Sequence, residues 1–193
     1  MIKLGDYNTL KIVRATSVGL FLEDEEGTEI LLPNKYVPED FKIDSQMEVF
    51  CYLDNSERPI ATTLKPYIVR NGFAYLKVAE VSAYGAFLEW GLEKHLLVPF
   101  REQAQRMEEG KKYMVHCYMD EESMRLTGSS KLDKFLVSEG ADYKPNTEVD
   151  LLVYRKTPLG WEAGGFGYAY RRTPIGMPDH SELLQPDPLP PPD

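Results

Sequence analysis

Three histidines and two cysteines are the side chains of this sequence that could bind a metal or attack a substrate: His95, His116, His180, Cys51 and Cys117. The histidines share no ligand spacing with either cysteine, and one cysteine lies in each copy of an internal repeat, so the pattern does not favour a metal site. No serine or cysteine lies in a nucleophile-elbow motif. The sequence therefore predicts neither a metal centre nor a catalytic nucleophile.

A glycine run and two acidic pairs are the other candidates for chemistry. The run Gly164-Gly165-Phe166-Gly167 lacks the Lys-Ser/Thr and the strand-to-helix context of a phosphate-binding loop. The acidic pairs Glu25-Glu26 and Glu121-Glu122 lie among turn residues, where we expect them to be solvated. We therefore predict a protein that is not an enzyme and that uses no cofactor.

A repeat with a constant spacing of 66 residues provides the scaffold for any site. Residues 19–23, Gly-Leu-Phe-Leu-Glu, return at residues 85–89 as Gly-Ala-Phe-Leu-Glu. Residues 51–54, Cys-Tyr-Leu-Asp, return at residues 117–120 as Cys-Tyr-Met-Asp. The offset holds without a gap over some fifty residues of each copy, which predicts two copies of one folded unit.

Each copy has short apolar runs separated by turn residues, a pattern typical of β-strands. The clearest strand is residues 46–53. Along it and at the next position, two sets of side chains alternate: Met47, Val49, Cys51 and Leu53 in one, and Glu48, Phe50, Tyr52 and Asp54 in the other. Five short strands with a connector after the third match the plan of the OB-fold, a small Greek-key barrel. The sequence therefore predicts an all-β protein with two tandem five-stranded OB-fold barrels.

A third unit begins after the second and then becomes unreadable. Residues 151–160 overlay residues 76–85 at an offset of 75, and the similarity ends after Gly160. The segment that follows holds seven of the 14 prolines, so it lacks the apolar surface that would offset its ordering entropy. The predicted domains are two OB-fold repeats, an incomplete third repeat and a Pro-rich disordered tail: residues 1–66, 67–140, 141–163 and 164–193.

Charge and composition restrict the partners. The formal net charge of -9 opposes non-specific binding to nucleic acid, which depends on Lys and Arg. The charge is uneven, at -5 for residues 1–66, -1 for residues 67–140 and -3 for residues 141–193, so the second unit resists an anionic ligand least. The sequence shows no apolar run of the ~20 residues that a membrane span needs. With no signal-peptide core and only two cysteines, these features predict a cytoplasmic protein without membrane contact.

Residues 81–91, Val-Ser-Ala-Tyr-Gly-Ala-Phe-Leu-Glu-Trp-Gly, followed by Leu-Val-Pro at residues 97–99, resemble the opening of the RNA-binding domain repeated in ribosomal protein S-one. The order of domains, with the segments at residues 74–78, 90–94 and 129–132, is similar to that of the bacterial conserved virulence factor B family. The resemblance covers residues 1 to about 160 and implies tandem OB domains that bind RNA and influence gene expression. That family continues through a complete third barrel and a winged-helix domain, so the third domain is predicted to be truncated here.

The resemblance also implies which side chains contact RNA. In such domains two aromatic residues three positions apart stack on bases, and a polar pair from the turn before the fifth strand assists. In the second unit, Tyr84 and Phe87 match the stacking positions, Asp120 and Arg125 match the turn pair, and Arg101 is a further candidate contact. Pro99 replaces the histidine that is common at the end of the third strand.

The first unit matches this pattern less well. Phe21 keeps one stacking position, Val18 replaces the other aromatic residue, and Asp54 with Arg58 matches the turn pair. Structural roles stay open for several of these residues: packing within the barrel for Phe87, a solvated surface for the arginines, and bonding to their own backbone for the two aspartates.

The sequence predicts a non-catalytic protein that binds single-stranded RNA by base stacking, mainly through the second unit. Stacking suits this role because every base has a π-face, so contact does not require one particular sequence. The alternative function is a protein-protein interaction module, in which the acidic barrels bind a basic protein partner, because a fold does not determine its ligand. A positive stripe beside Tyr84 and Phe87 would favour RNA, whereas a uniformly negative surface would favour protein.

Overall fold

The computed structural model describes residues 1–135, 151–158, 160–165 and 169–172. Met1–Leu132 form one compact unit that contains two β-structures. The first is a closed barrel with the strand order β1-β2-β3-β5-β4. Its strands are β1 (Asp6–Thr16), β2 (Gly19–Glu23), β3 (Glu29–Pro33), β4 (Gln46–Leu53) and β5 (Pro59–Thr62). The five-stranded barrel predicted for the first repeat is confirmed.

The second repeat forms a separate five-stranded sheet with the order β10-β9-β6-β7-β8. Its strands are β6 (Phe73–Val81), β7 (Gly85–Glu89), β8 (Leu96–Pro99), β9 (Lys112–Asp120) and β10 (Arg125–Ser129). The edge strands β8 and β10 lie beside each other. A Cβ atom added to Gly128 on β10 would lie only 2.7 Å from the Val98 side chain on β8. The predicted second barrel is thus observed as a five-stranded sheet whose edges approach each other.

The 66-residue offset extends to irregular backbone features. A register shift falls between Ile12 and Arg14 on β1, and the matching shift falls between Val78 and Glu80 on β6. Short 3₁₀ turns follow the third strand of each repeat, at Asn34–Tyr36 and Phe100–Glu102. Because strand bulges and turns coincide as well as strands, the two repeats share one backbone plan.

A glycine begins the second strand of each repeat for a steric reason. Gly19 and Gly85 both have φ of 150°. A Cβ atom at Gly85 would overlap the carbonyl oxygen of Val98 on the neighbouring strand, and one at Gly19 would overlap that of Leu32. The close approach of strands at the start of this hairpin therefore requires glycine.

We expect Gly85→Ala to lower the free energy of unfolding by about 1–3 kcal/mol, the range for a strained backbone position. Urea denaturation followed by circular dichroism measures this loss. Gly27→Ala is the control, since Gly27 also has a positive φ of 80° but no atom lies within 4 Å of its added Cβ. An equal loss in both variants would show that the dihedral angle matters and the contact with Val98 does not.

Three further strands belong to a second compact unit, Asp133–Asp193. They are β11 (Leu151–Thr157), β12 (Gly160–Gly165) and β13 (Ala169–Arg172), in the order β11-β12-β13. A register shift between Val153 and Arg155 falls at the position of the β6 shift, 75 residues later. The boundary predicted for the tail, residue 164, lies inside β12, and β13 lies beyond it. The rest of the predicted tail, residues 166–168 and 173–193, falls outside the described residues.

Two buried clusters form the core of Met1–Leu132. One fills the first barrel, with Ile12, Leu22 and Leu32 among its fully enclosed side chains. The other fills the second sheet and also includes Phe50 and Tyr52 from β4 of the first barrel. The two repeats therefore share one apolar cluster. The domain boundaries at residues 66 and 140 stay a prediction.

Candidate nucleic-acid interface

The predicted stacking pair of the second repeat lies at the turn between β6 and β7 and on β7 itself. Tyr84 is 76% exposed, and its backbone N–H donates a hydrogen bond to the hydroxyl of Ser82 at 3.1 Å. Phe87 is half-buried, whereas its neighbours Ala86 and Leu88 are fully buried. Because side chains alternate along a strand, Phe87 points away from the core. The structure therefore places both predicted aromatic residues on the surface.

The matching position of the first repeat is already occupied. The guanidinium of Arg14 lies 4.1 Å from the centroid of the Phe21 ring. The same guanidinium donates a 2.8 Å hydrogen bond from Nη2 to Oε2 of Glu29. Val18, which is 56% exposed, stands where the second repeat has Tyr84. The first repeat thus presents one aromatic ring, and an arginine covers a face of it.

The cover over the phenylalanine ring differs between the two repeats because of one substitution. Glu80 occupies the position of Arg14, 66 residues later, and is the strand partner of Phe87. A carboxylate provides no cation to cover the ring. The strand partner of Phe87 is therefore a carboxylate, whereas that of Phe21 is a guanidinium that lies over the ring.

The two residues of the predicted turn pair in the first repeat, Asp54 and Arg58, bond to each other. Arg58 donates hydrogen bonds from Nε and Nη2 to Oδ2 of Asp54, at 3.0 and 2.8 Å. The other carboxylate oxygen of Asp54 accepts hydrogen bonds from the backbone N–H groups of Ser56 and Arg58, at 2.8 and 3.0 Å. Burial acts to raise the pKa of Asp54, but these hydrogen bonds outweigh it and lower that pKa. Asp54 therefore stabilises its own turn, as the structural alternative proposed.

The corresponding side chains of the second repeat pair with other residues. Asp120 and Arg125 are strand partners, but five positions separate them, one more than in the first repeat. Asp120 accepts a 2.6 Å hydrogen bond from Ser123 and forms a 3.5 Å ion pair with Arg101. Arg125 forms an ion pair with Glu57 of the first repeat. Arg101 and Arg125 are therefore both engaged by carboxylates.

Sequence reasoning missed that the loop between β7 and β8, Trp90–Lys94, packs against the first repeat. Trp90 is 2% exposed, and its ring packs edge-on against Phe50 and Tyr52, with centroid distances of 5.9 and 6.4 Å. Lys94 Nζ donates a 2.8 Å hydrogen bond to the backbone oxygen of Asp54. The sequence signal for this contact was the alternation in β4. Phe50 and Tyr52 belong to the same alternating set as Glu48 and Asp54, which points away from the core of the first barrel.

An acidic depression lies beside the second turn pair. Its lining is one arginine, an aromatic ring, a methionine and four carboxylates: Arg101, Glu102, Tyr118, Met119, Asp120, Glu121 and Glu122. Four acidic groups against one basic group make this part of the surface negative. A phosphate is therefore disfavoured here, and the RNA candidates Tyr84 and Phe87 do not line it.

Neither cysteine is available for chemistry. Burial raises the pKa of both the Cys51 and the Cys117 thiol to about 12, so neither forms a thiolate near neutral pH. Within the described part of the chain, no group of three or more His, Cys, Asp or Glu side chains is arranged to hold a metal ion. The described residues also contain no helix that is long and apolar enough to cross a membrane.

Comparison with known proteins finds one family model that matches the first repeat. Residues 4–64 match the family model described as S1 domain. These residues contain β1 to β5, so the closed barrel coincides with the matched segment. The second repeat shares the backbone plan but lies outside the match.

Individual relatives cover more of the chain. The protein of Bacillus subtilis (strain 168) described as Uncharacterized protein YitL is 39% identical over 95 residues, which are 49% of this chain and 32% of that protein. The match thus spans about a third of that relative.

A crystal structure of a multidomain protein with nucleic acid binding domains from Streptococcus pneumoniae TIGR4 aligns with a TM-score of 0.58 and 19% identity. The alignment covers 86% of this chain and 60% of that one, and at this identity it shows a shared fold. Drosophila Unr CSD456 aligns with a TM-score of 0.24, which is too low to support a common fold.

Proposed function

We propose that this protein binds single-stranded RNA through its second repeat, by stacking bases on Tyr84 and Phe87, and that it acts without catalysis. The observation that carries the proposal is the placement of two aromatic residues at one hairpin: Tyr84 is exposed in the turn before β7, and the half-buried Phe87 points away from the core. An exposed aromatic ring contributes roughly 1–3 kcal/mol per stacked base. Two adjacent rings therefore provide a short platform for two bases.

The match to the S1 domain and the fold shared with a protein described as having nucleic acid binding domains support a nucleic-acid ligand. Binding of RNA by such a protein would allow it to influence gene expression, as the resemblance to the virulence factor B family implies. The relatives support the ligand class, and the stacking pair supports the position of the site.

We expect the affinity to be modest and to depend on salt. Arg101 and Arg125 already pair with Asp120 and Glu57, so a phosphate must compete with carboxylates for them. If two or three phosphates are neutralised, the affinity should fall by about sevenfold to twentyfold between 50 and 200 mM salt. Fluorescence anisotropy with a labelled single-stranded RNA of about ten nucleotides tests this. Affinity that does not change with salt would contradict phosphate contact, and absence of binding at low salt would contradict the proposal.

We expect Phe87→Ala to weaken RNA binding more than Phe21→Ala does. Arg14 covers one face of Phe21, whereas Glu80 leaves Phe87 without a cationic cover. Both substitutions should be made in the full chain, because separating the repeats would expose Trp90 and Phe50. Titration of both variants with the same RNA decides the question. A larger loss for Phe21→Ala would place the main site on the first repeat.

A further inference from the structure

The connector between β8 and β9 carries a cation on an aromatic ring. The guanidinium of Arg106 lies 3.7 Å from the centroid of the Phe100 ring. The side chain of Arg106 is exposed, and that of Phe100 is half-buried. Arg106 forms no ion pair with any other residue that the structure describes, whereas Arg101 and Arg125 both pair with carboxylates. A guanidinium held by one face over a ring keeps its N–H donors for an anion.

The backbone around Arg106 is held in place by a buried side chain. Met107, the next residue, is 2% exposed, and its backbone N–H donates a 3.0 Å hydrogen bond to the side-chain oxygen of Gln103. The side-chain nitrogen of Gln103 donates in turn to the backbone oxygen of Val98 on β8, also at 3.0 Å. Because this segment is already ordered against β8, a ligand of Arg106 does not have to order it on binding.

The ring beneath Arg106 lies at the same end of the sheet as the stacking pair. Strands β7 and β8 are antiparallel with Gly85 opposite Pro99, and a Cβ atom added to Gly85 would lie 2.8 Å from the Cα atom of Pro99. Tyr84 comes directly before the first of these residues, and Phe100 comes directly after the second. The same antiparallel register, continued by one residue, therefore brings the two aromatic residues opposite each other.

Charge makes the two flanks of the stacking pair unequal. On the β6 flank, the exposed Glu80 is the strand partner of Phe87. On the β8 flank, the strand partner of Phe87 is the uncharged Leu97, and Arg106 lies on the connector that follows this strand. Since like charges repel, RNA that stacks its bases here is more stable with its phosphates on the β8 flank.

The first repeat has no cation at the matching position. The 66-residue offset continues into the connector, since both connectors begin with a 3₁₀ turn at equivalent positions. At the position of Arg106 the first repeat has Asp40, which is exposed. At the position of Phe100 it has Asn34, so no ring is present to carry a cation. Of the two repeats, only the second offers a cation at this position to a phosphate.

We propose that Arg106 binds a backbone phosphate of the RNA strand whose bases stack on Tyr84 and Phe87, and that Phe100 positions its guanidinium. This inference rests on the proposed function, because it assigns the phosphate side of the same site. The contact places the sugar–phosphate backbone on the β8 flank of the stacking pair. It carries no base specificity, since every nucleotide presents the same phosphate.

Arg106→Ala in the full chain tests the contact in fluorescence anisotropy with labelled oligouridine and oligoadenosine of about ten nucleotides. At 50 mM salt we expect about threefold to fivefold weaker binding, as for one exposed ion pair, and by a similar factor for both oligonucleotides. The loss of affinity between 50 and 200 mM salt should become about 2.6-fold smaller, because one phosphate contact to a single strand contributes a slope of about -0.7.

Two further variants isolate the charge of Arg106. Arg106→Lys keeps the positive charge and should keep the salt dependence of the unaltered chain. The matched control, Lys42→Ala, removes an exposed cation from the connector of the first repeat, so we expect affinity within about 1.5-fold and unchanged salt dependence. A salt dependence for Arg106→Lys as low as that for Arg106→Ala would contradict a charge contact, and so would an equal effect of Lys42→Ala.

Phe100→Leu tests the positioning role, because it keeps an apolar side chain but removes the ring. We expect about twofold weaker binding when Arg106 is present and no further loss when Arg106 is already alanine, as for two residues that act through one contact. An equal loss in both backgrounds would show that Phe100 affects binding through the fold and does not position Arg106.

The outcomes distinguish this inference from the proposed function. If Arg106→Ala leaves affinity and salt dependence unchanged while loss of Tyr84 and Phe87 abolishes binding, the phosphate contact alone is wrong. A loss in Arg106→Ala with unchanged salt dependence, or with one oligonucleotide only, would also overturn it, because the arginine would then contact a base. If neither oligonucleotide binds the unaltered chain at 50 mM salt, the proposed function and this inference are both wrong.

Discussion

Replacing Tyr84 and Phe87 together by alanine is expected to weaken binding of a short single-stranded RNA by more than tenfold. Each lost stack removes roughly 1–3 kcal/mol, so two remove about 2–6 kcal/mol. The fold should survive, because Tyr84 is largely exposed and Phe87 points away from the core of the second sheet. Fluorescence anisotropy measures the affinity, and circular dichroism checks the fold.

The control for this variant is Val18→Ala with Phe21→Ala, which removes side chains from the matching positions of the first repeat. We expect it to reduce affinity less than threefold, because Val18 has no ring and Arg14 covers Phe21. Unchanged affinity in the Tyr84 and Phe87 double variant, with an intact spectrum, would contradict base stacking at this site.

Trp90→Ala is expected to cost about 3–5 kcal/mol of the free energy of unfolding, the range for truncating a buried aromatic side chain. Trp90 is almost fully buried and contacts Phe50 and Tyr52 of the first repeat. Its removal leaves a cavity in the cluster that the two repeats share. Urea denaturation of the full chain, followed by intrinsic fluorescence and circular dichroism, measures the loss.

Tyr84→Ala is the matched control for stability. It also truncates a large aromatic residue of the second repeat, but at an exposed position, so we expect a change within about 0.5 kcal/mol. A loss below about 1 kcal/mol for Trp90→Ala would show that the contact between the repeats contributes little. RNA affinity of Trp90→Ala at low urea shows in addition whether the site on β7 depends on that contact.

Much of the fold could be predicted from sequence because its determinants are local. The alternation in β4 identifies a strand without knowledge of its neighbours. The 66-residue offset carries that assignment to β9, and the turn residues mark where strands end. Gly19 and Gly85 stand at equivalent positions because the same close approach of strands occurs twice.

The candidate site could be predicted in part. Tyr84 precedes a glycine in a turn, and Phe87 alternates with buried neighbours on a strand, so the exposure of Tyr84 and the outward direction of Phe87 follow from local geometry. The partners of the charged residues do not follow in this way. Arg125 meets Glu57 and Lys35 meets Glu93, which are distant in the chain and are brought together only when the repeats pack.

The sequence by itself determined that this protein is built from a repeated β-unit and that the second copy presents two aromatic side chains at one hairpin. It did so because alternation, turn residues and repetition act over a few positions. Only the tertiary structure decided that Arg14 covers Phe21 and that Trp90 packs against Phe50 of the first repeat. These features depend on distances between side chains remote in sequence, and a cation, a ring or a carboxylate acts only on the groups that folding places beside it.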